Sequence, residues 1–239
     1  MKALLHSGAW VMQRDHWEQT CLQAAMYYND PVAFALPLID AGIDINAQDF
    51  SGAFALLEAV RMGHIDAVIL LVDRGADVNL ADMRGVTPFL AAVHQNNHAM
   101  VRVLLQTRLV DTGAQDYTMQ NVLHIAAERS DMAMLMLLTA VRMEGVLVDQ
   151  SREDGLSPIQ VAEKRRELEL QEKVSEEKVE VDETWIIAYG ELLESIVSRA
   201  GSPLPYKDEE DQYTDYYTDH WTESATSSIY VDASQHVLP

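Results

Sequence analysis

An alanine returns at a nearly constant interval along this chain. Ala25, Ala59, Ala92, Ala126 and Ala162 are separated by 34, 33, 34 and 36 positions. Asp15, Asp49, Asp82 and Asp116 recur at 34, 33 and 34. A period of this size means that each copy is one small supersecondary unit. Such a unit cannot bury its apolar face alone and must stack on its neighbours. The expected architecture is therefore a linear array rather than a single closed core.

The segment from Asp82 to Gln115 shows what one unit contains. Asp82-Met83-Arg84-Gly85-Val86 reads as a turn. Thr87 can accept a hydrogen bond from a first-turn N–H, and Pro88 fits just inside a helix start. Leu90, Ala91 and Ala92 favour helix, and small alanines let helices approach. After Asn97-His98, the apolar run Val101, Val103, Leu104 and Leu105 makes a second helix. The order is turn, short helix, turn, second helix. Leu70-Leu71-Val72-Asp73-Arg74-Gly75-Ala76-Asp77-Val78-Asn79 is echoed by 38–46 and by 3–9.

Taken together, Thr-Pro-hydrophobic, Ala-Ala, Gly-His and Leu-Leu-x-x-Gly-Ala-Asp-Val-Asn, in that order over about 33 residues, resemble ankyrin repeats. The resemblance covers roughly residues 1–165. It implies an all-α solenoid of helix-turn-helix units joined by short turns and hairpin loops. It also implies that turn tips and inner helices line a concave, protein-binding face.

The units divide as follows. Residues 1–14 read as the second helix and loop of a partial repeat, either a makeshift cap or the edge of a longer product, with the second preferred. Full repeats follow at 15–48, 49–81, 82–115 and 116–152. Residues 153–198 form a divergent terminal repeat. Pro37 should bend or shorten its helix near Leu36. Phe54-Ala55 stands where Thr-Pro is expected, and Gly75 should close a helix in a left-handed conformation. The methionines Met132, Met134 and Met136 read as adaptable core filling in preference to a binding stripe.

Beyond the repeats the pattern changes. Residues 163–183 carry nine acidic and five basic side chains. They read as a solvated charged helix, with Glu169 and Lys173 an i,i+4 pair. Residues 184–198 return to helical spacing through Trp185, Ile186, Tyr189, Leu192, Leu193 and Ile196. This is expected to be a closing helix on the last repeat, with a separate partner-binding helix as the rival reading. Residues 199–239 are acidic, rich in tyrosine and poor in aliphatics, which makes disorder the expectation. The tail is either an inert solubilising segment or one that folds on a basic, apolar groove.

The net charge of −21 disfavours nucleic acid and anionic membrane as partners, and makes a basic protein surface easier to accommodate. Cys21 is the only cysteine and no Asn-x-Ser/Thr sequon is present. Both fit a reducing, cytoplasmic or nuclear setting. No transmembrane segment or signal peptide is evident. A monomer is expected.

Catalytic patterns are missing from the sequence: no phosphate loop, no GxGxxG, no GxSxG and no HExxH. His94 and His98 stand four apart, but no nearby Cys or carboxylate completes a metal site. His98 is aligned with His64, and both read as structural. His124 occupies the family position at which, by resemblance, the ring ties neighbouring loops together. Neither enzyme activity nor a cofactor nor a metal is expected.

Mapping the concave face residue by residue, as the resemblance implies, selects Phe50, Arg61, Met62, Met83, Arg84, His94, Gln95, Tyr117, Glu128 and Arg129. Ser51, Thr118, His16, Trp17, Tyr27 and Tyr28 occupy related positions. The set is rich in aromatics, Met and Arg, the residue types that interface centres favour. Three functions fit. The chain is a scaffold or adaptor using this face, a regulatory protein whose acidic aromatic tail is the effector, or the regulatory end of a larger protein. In a self-binding variant the tail lies against Arg61, Arg84 and Arg129.

Overall fold

The computed structural model describes residues 12–141, 143, 145–175 and 184–199, with only the backbone of 169–175 and 199. The partial repeat expected at 1–14 therefore lies almost entirely outside the described residues. So does the tail after Arg199, and so do the side chains of the Glu169–Lys173 pair.

Ten helices are described. They are α1 Cys21–Ala25, α2 Pro31–Asp40, α3 Ala55–Met62, α4 Ile65–Asp73, α5 Pro88–His94, α6 His98–Gln106, α7 Val122–Arg129, α8 Met132–Ala140, α9 Pro158–Ser175 and α10 Thr184–Arg199. Odd-numbered helices pack on one another in chain order and form the inner layer, from α1 to α9. Even-numbered helices do the same in an outer layer, from α2 to α10. Among the described residues there is no strand; isolated antiparallel bridges join Arg14 to Thr20 and Gln115 to Asn121. One continuous apolar core runs between the layers, from Leu22 to Ile196.

The first four inner helices start from hairpins built the same way, whereas Arg152 stands at the clamp position before α9. The Asp15 carboxylate accepts from the Trp17 and Gln19 N–H groups at 2.8 and 2.9 Å. Asp49, Asp82 and Asp116 repeat this with Ser51 and Ala53, Arg84 and Val86, and Thr118 and Gln120. The recurrent aspartate is thus a turn clamp, satisfying donors that a tight turn would otherwise leave bare. Three residues after each clamp the backbone is left-handed: Glu18, Gly52, Gly85 and Met119. Glycine matters most at Gly52 and Gly85. A Cβ on Gly52 would lie 2.5 Å from the Met83 nitrogen, and one on Gly85 would lie 2.9 Å from the Tyr117 nitrogen.

Caps follow the expected chemistry with informative exceptions. Thr20 forms a capping box with Gln23, and Thr87 accepts from the Leu90 N–H at 3.3 Å. Phe54 caps α3 without any side-chain bond, but its ring is fully buried. Here packing replaces the hydrogen bond that Thr would supply. Gly75 is left-handed past α4, and the Ala76 N–H reaches back to the Leu71 carbonyl at 2.9 Å.

Two sequence expectations change. Of the two effects expected of Pro37, shortening does not occur: α2 runs on to Asp40. The proline frees the carbonyl four residues back, at Ala33, on the exposed side of the helix. Water can serve it there, while Pro37 and Leu38 stay packed in the core. Second, the counterpart of His64 is Asn97, not His98. His64 and Asn97 are the N-caps of α4 and α6, following left-handed Gly63 and Asn96.

The methionines of α8 divide. Met134 is fully buried, whereas Met136 is 64% exposed. The terminal unit also departs from the others. Its inner helix, α9, has 18 residues against eight in α7, and takes in the start of the charged segment. On its outer partner α10, Tyr189, Leu192, Leu193 and Ile196 join the core, and the Tyr189 hydroxyl donates to the Leu123 carbonyl at 2.9 Å. The Arg165 guanidinium lies 4.1 Å over the Trp185 ring.

Candidate functional site

The hairpins do more than start helices. The Phe50 N–H donates to the Trp17 carbonyl at 3.1 Å, Met83 to Ser51 at 3.0 Å, Tyr117 to Arg84 at 2.8 Å and Glu153 to Thr118 at 2.9 Å. Each tip is therefore bonded to the one before it, and the tips form a stacked ladder of fixed spacing. Residues two positions past the clamp accept, and residues on the next tip donate. The ladder needs the close approach that Gly52 and Gly85 permit.

Side chains on this ladder face water. Phe50 is 61% exposed, Met83 64% and Tyr117 75%. Trp17 extends the apolar row at the first tip, its ring 4.7 Å from that of His16. The Ser51 and Thr118 hydroxyls are spent on their own clamps, each 2.7 Å from the aspartate. Burying aromatic rings normally stabilises a chain, so a row of them held open on rigid hairpins is a feature that folding did not require.

A polar network ties the ladder to the inner helices. The Tyr27 hydroxyl donates to Glu58 at 2.8 Å. The Arg61 guanidinium donates to the same carboxylate at 2.9 Å and to Asp82 at 2.8 Å. Glu58 and Asp82 are each only 5% exposed, so the single cation between them balances two desolvated anions. Arg84 approaches Asp82 from the tip side at 3.6 Å. Burial, reinforced by the hydrogen bond and charge of Glu58, pushes the Tyr27 phenol up to about 12.

Arg61 is thus engaged within the array, and Gln95 donates to the Arg61 carbonyl at 2.8 Å. Among the ten mapped residues these two make side-chain hydrogen bonds between repeats. Met62 is 46% exposed and borders an open cleft of about 680 Å³ that also touches Gly63, Asn97 and His98. A smaller depression of about 220 Å³ lies against Trp17 and Phe50.

Arg84, His94 and Arg129 gather where the third and fourth repeats meet. The Arg84 side chain is 76% exposed, and His94 and Arg129 are exposed as well. The His94 imidazole is held below its usual range first by partial burial, then by the positive charge of Arg129 and of Arg84. Glu128 offsets part of this, and its carboxylate lies 3.9 Å from Arg152. The structure therefore brings together Met83, Arg84, His94, Tyr117, Glu128 and Arg129. Phe50 stands further along the ladder.

Glu58 and Asp82, the buried acids of the network, were not singled out by sequence reasoning as a pair. The i,i+3 spacing of Glu58 and Arg61 was the available signal. The two other histidines of interest serve neighbouring repeats. His124 contacts Asn121 at 2.9 Å through Nδ1 and the Leu156 carbonyl at 3.2 Å through Nε2. Burial lowers its proton affinity. His98 contacts Asp131 at 2.8 Å. Among the described residues, no group of three or more His, Cys, Asp or Glu is placed to hold a metal. Nor is any described helix long and apolar enough to cross a membrane.

Comparison with known families matches residues 1–82 to a model described as ankyrin repeats (3 copies). Comparison with curated proteins finds no significant match. Residues 83–165 lie beyond the matched segment, but the clamp, ladder and two-layer geometry continue through them. Ankyrin repeats generally mediate protein–protein interaction and are typically non-enzymatic modules.

Proposed function

Because this chain carries ankyrin repeats over residues 1–82, we propose that it is a non-enzymatic scaffold or adaptor that holds a partner protein on its hairpin ladder and adjoining inner-helix ends. The observation that carries this reading is the exposed row Phe50, Met83 and Tyr117, fixed tip to tip by backbone bonds and flanked by Arg84 and Arg129. Rigid, pre-positioned aromatic and methionine side chains lose little entropy on binding, which favours an interface centre. Most of the surrounding surface is acidic, so a basic rim on the partner is accommodated, while the arginines take acidic groups at the centre. The chain acts as a monomer in this reading, with α10 closing the array.

The test is affinity capture from native lysate followed by mass spectrometry. The baits are the full chain, residues 1–200, and each of these with Arg84→Ala and Tyr117→Ala. A protein retained by both parent baits and lost from the double variants supports the ladder as the binding face. Retention by the double variants moves the binding site elsewhere on the array. Capture only by the full chain transfers the function to residues 201–239.

A further inference from the structure

Two arginines that the array leaves open, Arg84 and Arg129, meet at one junction, whereas the other two, Arg102 and Arg108, lie on and just after α6 in the outer layer; the chain itself carries a segment complementary to the first pair. Arg61 is held between Glu58 and Asp82, and Arg165 donates to the Ala127 and Ser130 carbonyls at 3.3 and 3.0 Å. Arg84, by contrast, has only the 3.6 Å approach to Asp82 and is 76% exposed. The side chain of Arg129 makes no hydrogen bond or ion pair among the described residues, and it is exposed. His94 lies close enough to both for their charges to act on it. Tyr117 and Met83 add apolar area at the same junction. Glu128 shares the junction, so Arg84 and Arg129 outnumber one exposed acid beside these apolar groups, on a protein whose net charge is −21.

Residues 202–239 hold eight acidic side chains and one basic one, a net of −7. The acids are concentrated at Asp208, Glu209, Glu210 and Asp211, then alternate with Tyr213, Tyr216, Tyr217 and Trp221. Carboxylates for the arginines and rings for the apolar area thus occur in one short stretch. We propose that this acidic aromatic segment docks in cis on the Arg84–His94–Arg129 junction and covers the partner-binding face.

Chain length allows it. The start of α10 is anchored beside this junction, where the Trp185 indole donates to the Ser130 carbonyl at 2.7 Å. Its far end follows α8, with Ser195 near the Thr139 carbonyl at 3.5 Å. A 16-residue helix is about 24 Å long. The nine residues from 200 to 208 span up to ~30 Å when extended, enough to return along α10 and bring Asp208 to Arg129. Tethering makes the contact intramolecular, so a modest intrinsic affinity suffices. The segment then acts as a competitor that a partner must displace.

The proposal rests on the reading of this face as a binding surface, and the two fail separately. The experiment is paramagnetic relaxation enhancement on the full chain, with a nitroxide on Thr214→Cys in a Cys21→Ser background. The expected result is at least twofold loss of amide signal at Arg84, Tyr117 and Arg129. The signal should return when Asp208→Asn, Glu209→Gln, Glu210→Gln and Asp211→Asn are made together, and when Arg84→Glu and Arg129→Glu are made together. The tail variant alters no residue of the array, so it remains informative if the arginine variant unfolds.

Undiminished signals at the three positions overturn the proposal. So does broadening that survives tail neutralisation. Broadening found only when spin-labelled and isotope-labelled molecules are mixed would assign the contact to a second copy and overturn the cis arrangement. Full-chain bait with the neutralised tail should capture more of any ladder-bound partner than the parent. A Tyr117→Ala chain that keeps every partner would instead sink the binding-face reading and leave the tail contact standing.

Discussion

At the residue scale, Arg61 shows how a side chain that looks like a binding candidate becomes structural. It sits in the last turn of an inner helix, and its charge is rare in an acidic chain. Yet Glu58 and Asp82 are both nearly buried, and each needs a cation or donor to remain ionised. Arg61→Ala should therefore cost about 2–4 kcal/mol of stability. Urea unfolding would read this as a lower midpoint with an unchanged slope. An unaltered midpoint would mean that water reaches both carboxylates. Tyr27 reports on the same network through pH. Its phenol is raised from 10.0 to about 12, so the neutral form is favoured in the folded chain. The resulting stabilisation is complete below pH 10 and declines as pH climbs from 10 towards 12. The ¹³Cζ shift of Tyr27 should accordingly move later than that of an exposed tyrosine. Glu58→Gln should bring the transition down by removing the neighbouring charge, and a transition unmoved by that change would detach Tyr27 from the network.

At the element scale, the hairpin is the most legible part of the chain. Aspartate, a left-handed residue three positions on (glycine at Gly52 and Gly85), and then a residue that caps the helix make a local chemistry with local consequences. Four clamps form as their aspartates imply. The helix termini are less legible. Phe54 caps through burial, and Pro37 is tolerated inside α2 because the freed carbonyl falls on the exposed side. Neither outcome is local, since each depends on what the opposite face packs against. The terminal pair α9 and α10 makes the same point. The apolar spacing of α10 suggests a helix, but its pairing with α8 across the outer layer is a tertiary fact. Leu192 is fully buried there, so Leu192→Ala should cost about 2–5 kcal/mol. Because repeats contact only their neighbours, the loss should be polar along the array. Hydrogen exchange should accelerate in α8, α9 and α10 while α3 to α5 keep their protection. Uniform acceleration throughout would show that the array unfolds as a single unit.

At the scale of the whole molecule, charge is the dominant global property. With 38 acidic and 17 basic side chains, repulsion opposes compaction, while ion pairs such as Arg61–Asp82 and Arg74–Asp40 act against it locally. Raising ionic strength from about 0.01 M to about 0.15 M shortens the screening length from about 30 Å to about 8 Å. Repulsion over many residues is screened more than contacts inside the array. Tm should therefore rise by about 2–4 °C, equivalent to roughly 1 kcal/mol for a chain of this size. A fall in Tm would give the ion pairs the larger share.

The periodic alanines, the aspartate clamps and the apolar spacing determined the repeat, its length and its two-helix content, because those properties arise within some 33 residues. They also located the exposed tip residues Phe50, Met83, Arg84 and Tyr117, since position within a repeat sets which way a hairpin side chain points. Tertiary structure alone decided which of the mapped cations are open. Arg61 and Arg84 are both arginines beside the same clamp, yet one is enclosed by acids of two repeats and the other stands in water. That difference depends on the stacking of successive repeats, a relation between residues about 20 to 30 apart that no single period contains.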